Sequence, residues 1–88
     1  GQDLPDSDYQ EMLSRIHEIA KSHGKIKDLH DVRIRQTEHG LIIVYHCLVD
    51  GDISVAMAHD YMDAFERVLR VELSNVARVI GHAETVMH

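Results

Sequence analysis

The sequence predicts an α+β open sandwich: two helices on one side of a small sheet, in the order helix, strand, strand, helix, strand. Three observations predict it. Two segments repeat apolar residues at three- and four-residue steps, while three others alternate or run apolar over strand lengths. Turn and cap signals punctuate them at Gly24, Glu38-His39-Gly40, Asp50-Gly51-Asp52 and Ser74-Asn75. The chain has 88 residues, no Trp and one Phe, so one small aliphatic core is expected. A domain of this size buries only about 60–65% of its unfolded surface, and such domains often lean on a partner chain or a metal.

Residues 1–5 read as a linker. Ser7 followed by Gln10 has capping-box spacing, which predicts a helix start at Ser7. Tyr9, Met12, Leu13, Ile16, Ile19, Ala20 and His23 then form one helical face, and Gly24 is expected as the left-handed residue closing the helix. Over 29–37 the alternation places His30, Val32 and Ile34 on one face of a strand, with Asp31, Arg33 and Arg35 on the other. After a turn at 38–40, residues 41–49 are almost continuously apolar. Leu41, Ile43, Tyr45, Cys47 and Val49 share one face; Ile42, Val44, His46 and Leu48 share the other. A strand apolar on both faces needs cover on both. Two helices cover one face of so small a sheet, so the other is expected to meet a second chain. The expected interface carries some of Ile43, Tyr45, Cys47 and Val49.

Ser54 is placed to cap a second helix whose stripe is Val55, Ala58, Tyr61, Met62, Phe65, Val68 and Leu69. A last strand over 77–84 carries Arg78, Ile80, His82 and Glu84 on one face.

Composition excludes several function classes. Nine Lys+Arg against fifteen Asp+Glu leave a formal charge of −6, which argues against binding a nucleic-acid backbone. No apolar run reaches the roughly 18–20 residues of a membrane span. The single Cys47 rules out an internal disulfide and fits a reducing compartment. Eight His are many for 88 residues, and neutral imidazole is the commonest metal ligand.

Five side chains are candidate ligands. His30 and His46 lie on the two strands of the hairpin. An odd-length loop between Gln36 and Leu41 makes them same-face neighbours; an even one puts them on opposite faces. His82 and Glu84 share a strand face, and His59 lies at the edge of the second helix's stripe. The five either converge at one sheet margin, where imidazole and carboxylate suit Zn²⁺ and its divalent neighbours, or stand as separate polar groups. Mutual repulsion of clustered imidazolium groups predicts lowered His pKa values. His17, His23, His39 and His88 read as surface or capping groups. Cys47 alternates away from His46, which disfavours a nucleophile pair, and no catalysis is expected.

Leu29-His30-Asp31-Val32-Arg33-Ile34-Arg35 resembles the His-Asp-Leu/Val-Arg-x-Arg strand of the cation diffusion facilitator cytoplasmic domain. Ser54-Val55-Ala56-Met57-Ala58-His59 resembles the family's Leu-Ser-x-x-x-Ala-His helix start. Val79-Ile80-Gly81-His82-Ala83-Glu84-Thr85 resembles its closing Val-x-Ile-His-x-Glu/Asp-Pro strand, with Gly81 and Thr85 as departures. Gln2-Asp3-Leu4-Pro5 is similar to its acidic-Leu-Pro linker. The resemblance implies a ferredoxin-like, metallochaperone-like domain over 6–85, a linker from a membrane domain over 1–5, and a tail over 86–88. It implies divalent metal, zinc first among Fe, Mn, Co, Cd and Ni, at His30, His46, His59, His82 and Glu84. It also implies a homodimer joined to its own transmembrane domain on the cytoplasmic side of the membrane, with no membrane insertion of this segment. On this reading metal regulates transport by rearranging the dimer. The alternatives are a dimerisation module whose histidines are structural, and a freestanding ferredoxin-like ligand binder.

Overall fold

A computed structural model describes residues 2, 3 and 5–86. His88 and Leu4, to which the sequence assigns tail and linker positions, lie outside the described residues. The elements are β1 (Gln2–Asp3), α1 (Asp6–Lys21), β2 (Lys27–Thr37), β3 (Gly40–Asp50), α2 (Val55–Glu72) and β4 (Val76–Val86). The expected α-β-β-α-β order is present. To it is added a two-residue strand in the segment read as linker: Gln2 pairs with Gln36 and Asp3 with Arg35. The sheet order is β1-β2-β3-β4; β2 and β3 are antiparallel, whereas β3 and β4, joined through α2, are parallel.

Both helices lie on one face of the sheet. Ile43, Tyr45 and Cys47 on β3 are fully buried there with Ile16, Phe65 and Leu69. The Tyr45 and Phe65 rings meet edge to face at 5.3 Å. The expected dimer face of Ile43, Tyr45, Cys47 and Val49 is therefore the helix-covered core. The open face of β3 carries instead Ile42, Val44, His46 and Leu48, each half-buried in the single chain. Periodicity separates the two faces of a strand but does not say which one the helices take.

The helix ends differ from expectation at α1 and agree at α2. At α1, Pro5 is the N-cap and no side chain caps. Pro has its fixed φ and lacks the N–H that an initial turn leaves unpaired. Ser7 is thus inside the first turn, beside Asp6 and Asp8, whose charges suit the positive helix end. The C-terminus closes at Ser22 in right-handed geometry, with its hydroxyl donating to the Ile19 carbonyl at 2.8 Å, so Gly24 has no left-handed role. At α2 the Ser54 side chain accepts from the Met57 amide at 3.1 Å, the expected N-cap. Val55 is 73% exposed, so the packed stripe begins at Ala58.

Gly81 is set by β3. A Cβ at Gly81 would collide with the Tyr45 ring and hydroxyl and meet the Met62 methyl at 2.7 Å. Tyr45 and Gly81 are register partners, so the largest residue of β3 lies over the smallest of β4. The Tyr45 hydroxyl, held over this strand, donates to Glu66 at 2.7 Å.

Candidate metal site

The hairpin turn is even: Thr37 pairs with Gly40 and Gln36 with Leu41. An unbroken ladder from that turn would place His30 beside Cys47, on the face opposite His46. β2 has two bulges, and the one nearer the turn changes the outcome. Between the Arg33↔Val44 and His30↔His46 pairs, Asp31 and Val32 stand opposite Tyr45 alone; between His30↔His46 and Lys27↔Leu48, Asp28 and Leu29 stand opposite Cys47 alone. Each bulge holds an aspartate in left-handed backbone, Asp28 at φ 46° and Asp31 at φ 49°. Asp is among the few residues besides Gly that visit this region. The bulge at Asp31 moves His30 away from Val32 and Ile34, correcting the expected grouping, and aligns it with His46. Leu29 and Val32 are both buried although three residues apart.

β4 completes the group. His82 is the register partner of His46, and Glu84 that of Leu48. On the open face, Glu84 Oε1 lies 3.5 Å from His46 Nδ1 and 3.9 Å from His30 Nε2. Ligand atoms of His30, His46 and Glu84 all lie within 4.8 Å of one another. The His82 ring stacks on His46 with centroids 4.9 Å apart and planes at 26°. His59 is not with them. It is exposed on α2 and lies beside Met62 and Gly81, on the helix side of the sheet.

Asp31 is a site residue that sequence reasoning missed. Strict alternation puts it opposite His30; in the bulge its Oδ2 lies 3.6 Å from His46 Nε2, and its Oδ1 lies 3.6 Å from Arg33 Nε. The available signal was a pair of aspartates, Asp28 and Asp31, in an otherwise strand-like run.

At His30 the electrostatics run against the expected lowering by imidazole repulsion. Its pKa is raised above 6.5, chiefly because the Asp28 carbonyl accepts a hydrogen bond from its ring. Desolvation opposes this, and the carboxylates of Asp28, Glu84 and Asp31 add to the rise. Cys47 is buried on the far face, and loss of solvent pushes its thiol up to about 11.

Two imidazoles and a carboxylate are a donor set suited to Zn²⁺ and its neighbours, with Zn–N bonds of about 2.0–2.1 Å. Their ligand atoms, within 4.8 Å of one another, would be the ones to hold such an ion, with the His82 ring stacked beside His46.

A family model described as "Cation efflux protein, cytoplasmic domain" matches residues 9–86. The cation-efflux pump FieF of Shewanella oneidensis is 31% identical over 77 residues, covering 88% of this chain and 26% of that protein. The chain therefore spans about a quarter of that relative's length. Among solved structures, the metal-bound C-terminal domain of the CzcD transporter from Thermotoga maritima superposes with a TM-score of 0.85 at 22% identity, over 92% of this chain and 94% of that one. The Zn form of CzrB gives a TM-score of 0.80 at 24% identity, over 97% and 92%. These likenesses establish the shared fold. Among the described residues, no helix is long and apolar enough to cross a membrane.

Proposed function

The chain belongs to the cation efflux protein family, as its cytoplasmic domain, and from that premise we propose that it is the metal-binding and dimerisation domain of a divalent-cation efflux transporter. The observation that carries this reading is the convergence of His30, His46 and Glu84 on the sheet face that the helices leave open. That FieF is a cation-efflux pump and that CzrB has a Zn form support zinc-like cargo and ligand for this chain as well.

The mechanism follows from where the site lies. Ile42, Val44, Leu48 and Ile80 surround it on the open face, each half-buried in one chain. Apolar side chains exposed as a patch favour contact with another protein surface. Two copies meeting near this face would bring the two metal sites close to the interface. His30, His46 and Glu84 bind the ion, and His82 stacks on the His46 ring beside it. An ion that prefers one arrangement of the two copies shifts the dimer toward it, and only that difference in affinity couples metal to transport. The domain acts from the cytoplasmic side, attached to its own transmembrane part, and does no bond-making chemistry.

Zinc calorimetry combined with sedimentation, with and without chelator, tests the proposal. It expects saturable zinc binding and a dimer whose sedimentation changes on loading. Zinc binding that leaves the dimer unchanged favours a separate buffering role; a dimer that binds no zinc makes the histidines structural.

A further inference from the structure

Each converging histidine has one ring nitrogen aimed at Glu84 and the other aimed at an aspartate of a β2 bulge. His30 Nδ1 lies 2.7 Å from the Asp28 carbonyl oxygen, and His30 Nε2 faces Glu84 at 3.9 Å. His46 Nε2 lies 3.6 Å from Asp31 Oδ2, and His46 Nδ1 faces Glu84 at 3.5 Å. We propose that Asp28 and Asp31 are positioning residues that fix opposite tautomers, His30 protonated on Nδ1 and His46 on Nε2, so that both lone pairs point to one ion beside Glu84. This deepens the metal reading above and rests on it for its purpose, though not for its test.

A carbonyl only accepts, so in neutral His30 the hydrogen must sit on Nδ1 and leave Nε2 bare. The 3.6 Å at His46 is about 0.5 Å beyond a good hydrogen bond, a gap that rotation about the soft terminal torsion of the Asp31 carboxylate can close, with Glu84, 3.5 Å from Nδ1, as the competing acceptor. Asp31 is beside Arg33 and is not among the three residues whose ligand atoms converge. Ligating histidines commonly donate their other N–H to a carboxylate or backbone carbonyl, which sets the tautomer and makes the ring more basic. The bulge that aligns His30 with His46 also supplies Asp31, and the next bulge along β2 supplies the Asp28 carbonyl.

Long-range ¹H–¹⁵N spectra of the histidine rings in the metal-free chain at pH 8 test the tautomers directly. The expected result is His30 as Nδ1–H and His46 as Nε2–H. The reverse assignment of either ring overturns the proposal whether or not zinc binds, whereas wild-type chain that takes up no zinc overturns the metal reading and leaves these spectra decisive. Asp31→Gly separates the carboxylate from the backbone, because Gly takes φ 49° without strain. It should retain the fold, judged by circular dichroism, yet bind zinc about 10–100-fold more weakly. Asp31→Asn, which can still accept but has no charge, should fall between. Wild-type affinity in Asp31→Gly would reduce Asp31 to a turn residue. A shift of the cobalt(II) absorption bands in Asp31→Gly would make it a ligand; unchanged bands at weaker affinity support positioning.

Discussion

At the scale of single residues, His30 shows how neighbours decide the sign of a pH effect. Its folded pKa is raised above the unfolded value of about 6.5, chiefly by the Asp28 carbonyl. The folded state therefore holds this proton more tightly. The resulting stabilisation is fully present below the unfolded pKa and is lost as pH rises through the raised folded one. Zinc at the proposed site would act in the opposite direction, since it requires neutral rings and protons compete with it. Melting temperature should thus gain more from zinc at pH 7.5 than at pH 5.5, and in the metal-free chain His30→Ala should remove part of the stabilisation seen in acid. An equal zinc increment at both pH values would take the histidines out of the site. Position matters as much as residue type. His46→Ala should lose more zinc affinity than the about 10–100-fold typical of an outer partner. His39→Ala, on the exposed turn, should lose none by calorimetry.

At the scale of elements, the helices and strands were legible because their cues are local. The Ser54 cap, the stripe through Met62, Phe65 and Leu69, and the alternation of β3 are each written within a few residues. Ser54→Ala should cost about 1 kcal/mol in chemical denaturation. What was not legible arises between elements. The bulge at Asp31 reverses the outcome that the even turn alone would give for His30 and His46, and a bulge has only the weak mark of an aspartate within a strand. Likewise Gly81 looked like an interruption in β4 and is a fit to Tyr45 on β3. Gly81→Ala should destabilise by about 1–3 kcal/mol through overpacking. Tyr45→Phe should relieve part of that in the double variant, since the hydroxyl is one of the colliding atoms, at the expense of its hydrogen bond to Glu66. Additive losses in the denaturation cycle would mean that the two strands do not share this constraint.

At the scale of the whole molecule, an aliphatic core on one face of the sheet leaves the other face to carry both apolar side chains and the candidate metal-binding group. The sequence indicated that one face needed a partner chain, but the face expected, that of Ile43, Tyr45, Cys47 and Val49, is the one the helices cover, because both faces of β3 are apolar and the choice is made by how the helices dock. The two faces should respond differently to charge. Val44→Asp on the open face should leave the fold intact and weaken the dimer in sedimentation, whereas Ile43→Asp, fully buried against the helices, should unfold the chain. His59 shows the same limit: helical periodicity put it at the rim of a stripe, and the docking of α2 puts it across the sheet from His46. The most direct test of the account is an anomalous difference map at the zinc absorption edge from a zinc-loaded crystal of this chain. The account predicts a peak on the open face bounded by His30 Nε2, His46 Nδ1 and Glu84. Zinc at His59 or His39 with that position empty would contradict it.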